Sequence, residues 1–422
     1  MRPLRGRGAS IPAGAVRALP VALGVGVLGA SAYAFLAGAG RALGPEAFAP
    51  VSVAWTLVAT IAFGLLAPLE QETGRLTASR VAVGVGAGAV ARVAGLLALA
   101  GVGPLLVLAL LARNRVADLL LRGQVDLLLA CLAAVLVLAA AYVSRGLLAG
   151  SGRYGRYGLQ LGLEGVVRGA GALLLLLLGT TAASTYVWLL AVAPALGVLL
   201  TLPPRRDLTP GPPQPVGDVA RNLGLLVGTA AVSGAMVNSG PLLVELLGGG
   251  SGPDAAVFLA VLVVARVPLF VFAAVQAVVI PSLTTARVRG VAAYRAALLR
   301  LYAVVGLLAL GGVLVFGLAG PELVRLTFGP EYEARRDVAL LLSSGAGVFM
   351  LATLSGQALV AADRHRDGLF GWVAGAVVLA LVTAAVPDLQ LRVAAGLLAG
   401  STTALVVMAV SLRVVARTDA PQ

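Results

Sequence analysis

The chain of 422 residues has no lysine, one cysteine (Cys131), one histidine (His365) and only 12% charged residues. A soluble domain carries roughly 25% charged residues, so water is not the main solvent of this protein. A lone cysteine inside an apolar run excludes an intramolecular disulfide and a thiolate metal cluster. A lone histidine excludes His-based metal sites and Ser-His or Cys-His catalysis. The phosphate-binding pattern G-x-x-x-x-G-K-[ST], the pattern H-E-x-x-H and loops of clustered carboxylates are also missing. No catalytic residue, metal site or cofactor is therefore expected, and an enzyme is not the first reading.

What is present is apolar: 59% hydrophobic residues with a mean hydropathy of +0.99. Runs of about 20 Leu, Ala, Gly and Val residues recur along the chain, the length that crosses a bilayer as a helix. Continuous runs such as GALLLLLLG exclude a barrel, whose strands alternate. The expected fold class is all-α, a polytopic membrane bundle of about 12 spans. They lie near 18–40, 48–69, 93–111, 125–149, 157–178, 184–202, 220–247, 255–281, 297–318, 338–361, 369–386 and 391–411. The basic start and ASAYA resemble a signal peptide, but the apolar run continues to Gly40, so a retained first span is expected. The glycine-rich GVGVLG and GVGAGA lie in or beside spans, where small residues permit close helix packing.

The net charge of +13 comes entirely from arginine, which fits a GC-rich coding sequence. On this map 21 of the 31 arginines fall on the side of the N-terminus and eight on the other, with Arg168 and Arg266 inside spans. Positive loops stay cytoplasmic, so both termini are expected inside a cell (inner, cytoplasmic) membrane. The cations are expected to meet anionic lipid heads, not nucleic acid.

A half-chain repeat is visible. LTASRV (76–81) returns as LTTARV (283–288), Phe63 matches Phe270 at the same offset, and LLAGSGRY (147–154) resembles ALVAADRH (358–365). Two pseudo-symmetric six-helix lobes are expected, 1–202 and 220–422, joined by a proline-rich cytoplasmic linker at 203–219. Such lobes rock about a site at their interface near the midplane.

Polar residues inside the spans name the candidate site. Arg266 lies roughly 16 Å deep in span eight by helical rise, sharing a face with Phe270, Ala273 and Ala277. No acid of its own helix stands at i±3 or i±4. A charge there costs at least about 2.5–3.5 kcal/mol, so it either lines a cavity for an anionic group or pairs with a distant carboxylate. Gln276 lies further along the same span, and Pro268 should bend it. In span seven Asn238, Ser239, Gly240 and Pro241 read as a kink or an unwound stretch beside a cavity. Arg266, Asn238 and Gln276 are the candidate substrate-binding residues; Gly240, Pro241 and Pro268 are the candidate hinges. Glu164 and Arg168 read as an intrahelical pair. Glu70, Gln71 and Glu72 read as an interfacial cluster near Arg75, and Glu245 as interfacial. Arg145 and Gln357 could flank an inner gate but read rather as snorkelling side chains. Tyr33, Trp55 and Thr60 could line the opposite cavity wall.

Several segments, in order and spacing, resemble polysaccharide-type flippases of the multidrug/oligosaccharidyl-lipid/polysaccharide exporter superfamily. They are LGPEAFAPVSVAW, LEQETGRLTASR, RGLLAGSGRYGRYG, VNSGPLLVELLG, ARVPLFVFAAVQAVVIPSL and FGPEYEARRDVALLL. The resemblance spans about 20–410. It implies two lobes around a cytoplasm-facing cavity and alternating access that carries a polyprenyl-(pyro)phosphate-linked glycan outward. It also implies membrane lipids and other polysaccharide-assembly proteins as partners. The family's R-[IV]-P is matched by Arg266, Val267 and Pro268. In its N-x-D, Asn238 matches but Gly240 stands at the acid position, which weakens ion coupling there. A drug/cation antiporter of the same superfamily, a membrane enzyme of polysaccharide assembly and a transport-inactive scaffold are the alternatives.

Overall fold

The computed structural model describes residues 13–249, 253–362 and 364–418. Among these residues every regular element is a helix, and there are no strands. The helices are α1 (Ala13–Ile61), α2 (Ala67–Ala82), α3 (Gly88–Leu111), α4 (Arg113–Leu120), α5 (Val125–Gly150), α6 (Tyr154–Leu177), α7 (Ala183–Thr201), α8 (Val216–Asn238), α9 (Gly240–Leu247), α10 (Asp254–Ala265), α11 (Val267–Val288), α12 (Val291–Gly312), α13 (Gly320–Phe328), α14 (Arg336–Ala361), α15 (His365–Ala385) and α16 (Leu389–Thr418). Each of the twelve expected stretches falls on helix. Among the described residues nine segments are long and apolar enough to cross a membrane, or ten when α8 and α9 count as one bent span. The first of these, Leu19–Ala82, holds two expected spans. They are separated by Gly44, whose φ of 69° and ψ of 168° suit glycine alone.

The surface is inverted relative to a soluble protein. Leu108 on α3, Leu177 on α6 and Leu307 on α12 are exposed, whereas Arg145, Glu164, Glu72 and Glu245 are buried. Apolar side chains turned outward and charges turned inward are what a lipid solvent selects. This is a multi-pass membrane protein.

Small residues set the helix approaches. Along the long contact of α1 with α6, a Cβ on Gly158 would come within 2.1 Å of the Pro20 carbonyl oxygen, and one on Gly24 within 2.4 Å of the Gly158 carbonyl oxygen. The GVGVLG stretch therefore packs as expected. GVGAGA does not: it forms the turn between α2 and α3 and receives the linker. Ala87 N donates to Asp207 O (3.0 Å) and Gly88 N to Thr209 O (3.2 Å). A Cβ on Gly86 would collide with Thr209 at 2.2 Å.

The linker is strapped down further. Arg153 donates Nε and Nη2 to the two Asp207 carboxylate oxygens, each at 2.9 Å. These bonds hold the Asp207 carboxyl below the usual carboxylate range. Proline confines the stretch to one 3-10 turn, Arg205–Leu208, before α8 begins at Val216 inside the expected linker, and the stretch is not a free tether. The repeat has a backbone counterpart: Arg153 N donates to Leu148 O at 2.8 Å, and Arg364 N to Leu359 O at 2.8 Å.

Candidate functional site

Two helix breaks face each other near the middle of the bundle. In the first, α8 ends at Asn238, and α9 restarts at Gly240 after a 61° bend. Only Ser239 lies outside helix, so the stretch is a sharp kink and not an unwound segment. Pro241 occupies the first turn of α9, where its missing N–H is not needed. Gly240 is required for packing, since a Cβ there would stand 2.5 Å from the Phe258 ring.

The second break is Arg266 itself, with φ −95° and ψ 0° between α10 and α11. Pro268 falls in the first turn of α11 and so terminates one helix and opens the next, rather than merely bending one. Its ring fits against Gly312, where a Cβ would lie 2.7 Å from Pro268 Cγ. The break turns the guanidinium toward α8, and Arg266 Nη1 donates to Asn238 Oδ1 at 3.3 Å. Among the described residues no carboxylate forms an ion pair with Arg266. The side chains of Phe270, Ala273 and Ala277 lie outside the described residues.

A cavity of about 810 Å³ opens beside this pair. Its walls come from the π-helical segment Ala62–Leu66 and α2 (Phe63, Gln71), α8 (Thr229, Ser233, Asn238), α11 (Leu269, Gln276), α14 (Phe349, Thr353, Gln357) and α15 (Leu369, Trp372). Arg266, Asn238 and Gln276, named from sequence, are thus brought to one cavity. No Asp or Glu stands among the described residues lining it. Gln357 belongs to this wall and does not snorkel. Gln71 also faces the cavity, unlike its neighbours Glu70 and Glu72.

The cavity runs from Arg266 toward the linker end. At the opposite end the halves are tied together. Arg122, with a left-handed φ of 53°, donates Nε and Nη2 to Glu245 at 2.8 and 3.1 Å. Arg41 donates to the Leu326 and Thr327 carbonyls, and Tyr332 Oη to Gly40 O at 2.9 Å. Phe48, Phe328 and Tyr332 pack as an aromatic cluster. Glu245 is therefore a buried ion-pair partner, not an interfacial acid.

A second polar centre lies in the first half. Arg145 does not snorkel: it is buried, bonded to Glu164, with its guanidinium 4.9 Å from the Tyr142 ring centroid. Glu164 also stands 3.7 Å from Arg168 Nη1, so the expected pair is one side of a triad. Arg168 Nη2 donates to Leu28 O and Ser31 Oγ, both at 2.7 Å, and lies 5.5 Å from the Trp55 ring centroid. Trp55 thus serves a cation and stacks on Phe35 at 5.4 Å. Glu70 accepts from Tyr157 Oη at 2.5 Å, and Glu72 pairs with Arg75 at 2.6 Å. The Arg145–Glu164 contact crosses between α5 and α6, and no spacing within one helix signals it.

The fold is that of MATE transporters. The inward-facing conformation of a multidrug resistance MATE family transporter of the MOP superfamily aligns with a TM-score of 0.77 and 18% identity, covering 96% of this chain and 100% of that one. An outward-facing conformation of such a transporter gives 0.63 at 16% identity, covering 96% and 95%. A MOP superfamily transporter from Pyrococcus furiosus Vc1, described as having a binding pocket of reverse polarity, gives 0.61 at 18% identity, covering 96% of each chain. Among curated proteins, uncharacterized protein Rv3630 of Mycobacterium tuberculosis is 29% identical over 287 residues, covering 65% of this chain. Uncharacterized protein Rv1510 of the same organism is 30% identical over 275 residues, covering 63%. The chain spans 63% and 62% of the lengths of these two relatives. No family model matches.

Proposed function

We propose that this protein is a transporter, not an enzyme, that carries a polyprenyl-(pyro)phosphate-linked glycan from the cytoplasmic to the outer leaflet of the cell membrane. The observation that carries this reading is Arg266. It is a permanent cation deep in the bundle, bonded to the Asn238 amide and facing a cavity with no carboxylate among the described residues. A phosphate supplies the counter-charge that the protein withholds. Charged hydrogen bonds of guanidinium to phosphate are strong and geometrically specific, while the polyprenyl tail stays in lipid.

In this reading residues 1–202 and 220–422 act as two lobes joined at 203–219, with both termini cytoplasmic. Gly240, Pro241 and Pro268 mark the positions about which α8–α11 flex. Closing the cavity end and releasing the Arg122–Glu245 end would expose the head group to the other side. Membrane lipids and other polysaccharide-assembly proteins are the expected partners. Export of a cationic drug is the second reading, favoured by structural neighbours that are multidrug resistance transporters. A cavity with a cation and no acid among its described lining residues disfavours it.

Complementation tests the proposal. In a strain that depends on this protein for surface glycan, Arg266→Ala should abolish export while membrane abundance stays normal. Unchanged export by that variant would overturn the assignment, and acquired drug resistance on expression of the native protein would favour the second reading.

A further inference from the structure

We propose that the cavity holds a sugar ring in a subsite of its own, on the linker side of Arg266, against Phe349 and the Gln357 amide. The inference rests on reading Arg266 as the phosphate anchor, and it names which residues read the glycan. Gln357 lines the cavity, yet its Oε1 is shielded from solvent and has no hydrogen-bond partner. A buried acceptor left without a donor is costly, and native proteins rarely keep one without use. Two nearby hydroxyls have already given their protons to their own helices. Thr353 Oγ1 donates to Phe349 O at 2.8 Å, and Ser233 Oγ to Thr229 O at 2.9 Å. Toward the cavity they offer lone pairs. The wall therefore offers neutral acceptors beside the amide donors of Gln71 and Gln276, and no carboxylate among the described residues.

That combination asks for an occupant carrying neutral hydroxyl donors. A cation would meet Arg266, and a purely apolar guest would leave the polar groups of the wall, Ser233, Thr353 and the glutamine amides, without partners. Phe349 supplies the apolar face that a sugar ring also needs. Its ring is half-buried and braced by Trp372, with centroids 5.2 Å apart at 43°. Gln276, ten residues beyond Arg266 on the same wall, stands about 15 Å along α11 by helical rise. Phosphate and sugar thus occupy successive lengths of one cavity.

Equilibrium binding to the purified full chain in nanodiscs tests this. The probes are polyprenyl pyrophosphate without sugar and a panel carrying one glucose, galactose, rhamnose or N-acetylglucosamine. Phe349→Leu and Gln357→Leu roughly keep volume, so helix packing should survive. At least one sugar lipid should bind more tightly than the bare pyrophosphate. Each variant should weaken that lipid by about five- to tenfold, the worth of one lost neutral contact, and leave the bare pyrophosphate unchanged. Arg266→Gln should weaken every probe. Equal weakening of sugar-bearing and bare lipids by Phe349→Leu and Gln357→Leu, or no gain from any sugar, would overturn the subsite alone. Sugar-selective losses with an Arg266→Gln variant that binds normally would overturn the phosphate anchor and leave the subsite standing. Failure of the native chain to bind any probe would overturn both.

Discussion

Arg145 and Arg266 are both guanidinium groups enclosed by apolar helices, yet their surroundings are opposite. In the first half Arg145 and Arg168 share Glu164, and the rings of Tyr142 and Trp55 cover them. In the second half Arg266 is bonded to the Asn238 amide oxygen and faces an open cavity, with no carboxylate partner among the described residues. The contrast separates a charge that holds helices together from a charge kept available. Depth in the membrane alone does not tell the two apart; the supply of carboxylates around each does.

The largest way to break this contrast is at Glu164. Glu164→Leu leaves two buried cations uncompensated and should cost about 3–5 kcal/mol. This would be read as a lower thermal transition in detergent and a poorer membrane yield. Replacing Arg145, Glu164 and Arg168 together by leucine should cost less than Glu164→Leu alone, because no charge is then stranded. A triple variant less stable than the single one would refute the ion-triad account. At the other centre, Arg266→Gln should change stability by less than about 1 kcal/mol, since it orphans no carboxylate among the described residues. It should instead lower affinity for polyprenyl pyrophosphate by roughly tenfold to a hundredfold, the range for a lost charged hydrogen bond. A melting curve and a binding isotherm on the same sample check both statements.

A smaller effect is expected at the closed end. Glu245→Gln removes the charge from the Arg122 contact and should favour opening there. Cysteines at positions 41 and 327 should cross-link less readily in that variant than in its parent. Cys131 is buried and should not compete. The smallest effect concerns the strap. Asp207 is held ionised by Arg153, so its folded pKa is lowered and its contribution is present above the unfolded value. That contribution should fade as pH falls below about 4. Proteolysis near residues 205–214 should then increase, and Asp207→Asn should show the same susceptibility at pH 7.

These regions differed in how far the sequence alone could read them. The spans were legible because lipid permits only long apolar helices, and all twelve stretches fall on helix. Arg266, Asn238 and Gln276 could be named together because a polar residue in such a run is costly and therefore conspicuous. Pro241 marked a kink and Pro268 a bend, but only coordinates show a full helix break at Arg266 and place each break at a single residue. Arg145 was misjudged because its partner Glu164 lies on the next helix, and contacts between helices leave no periodic trace. Glu245 was misjudged for the same reason, its partner Arg122 being 123 residues away. Gln357 was weighed only as a gate-flanking or snorkelling side chain and Phe349 not at all, since only the arrangement of α8, α11, α14 and α15 turns such residues into a wall.

The central claim is that Arg266 is reserved for a substrate phosphate, and transbilayer movement measures it directly. Proteoliposomes containing the native protein should transfer a fluorescently tagged polyprenyl-pyrophosphoryl sugar between leaflets, and the Arg266→Gln protein, equally folded, should not. Equal transfer by the two proteins, or none by the native one, would contradict the account.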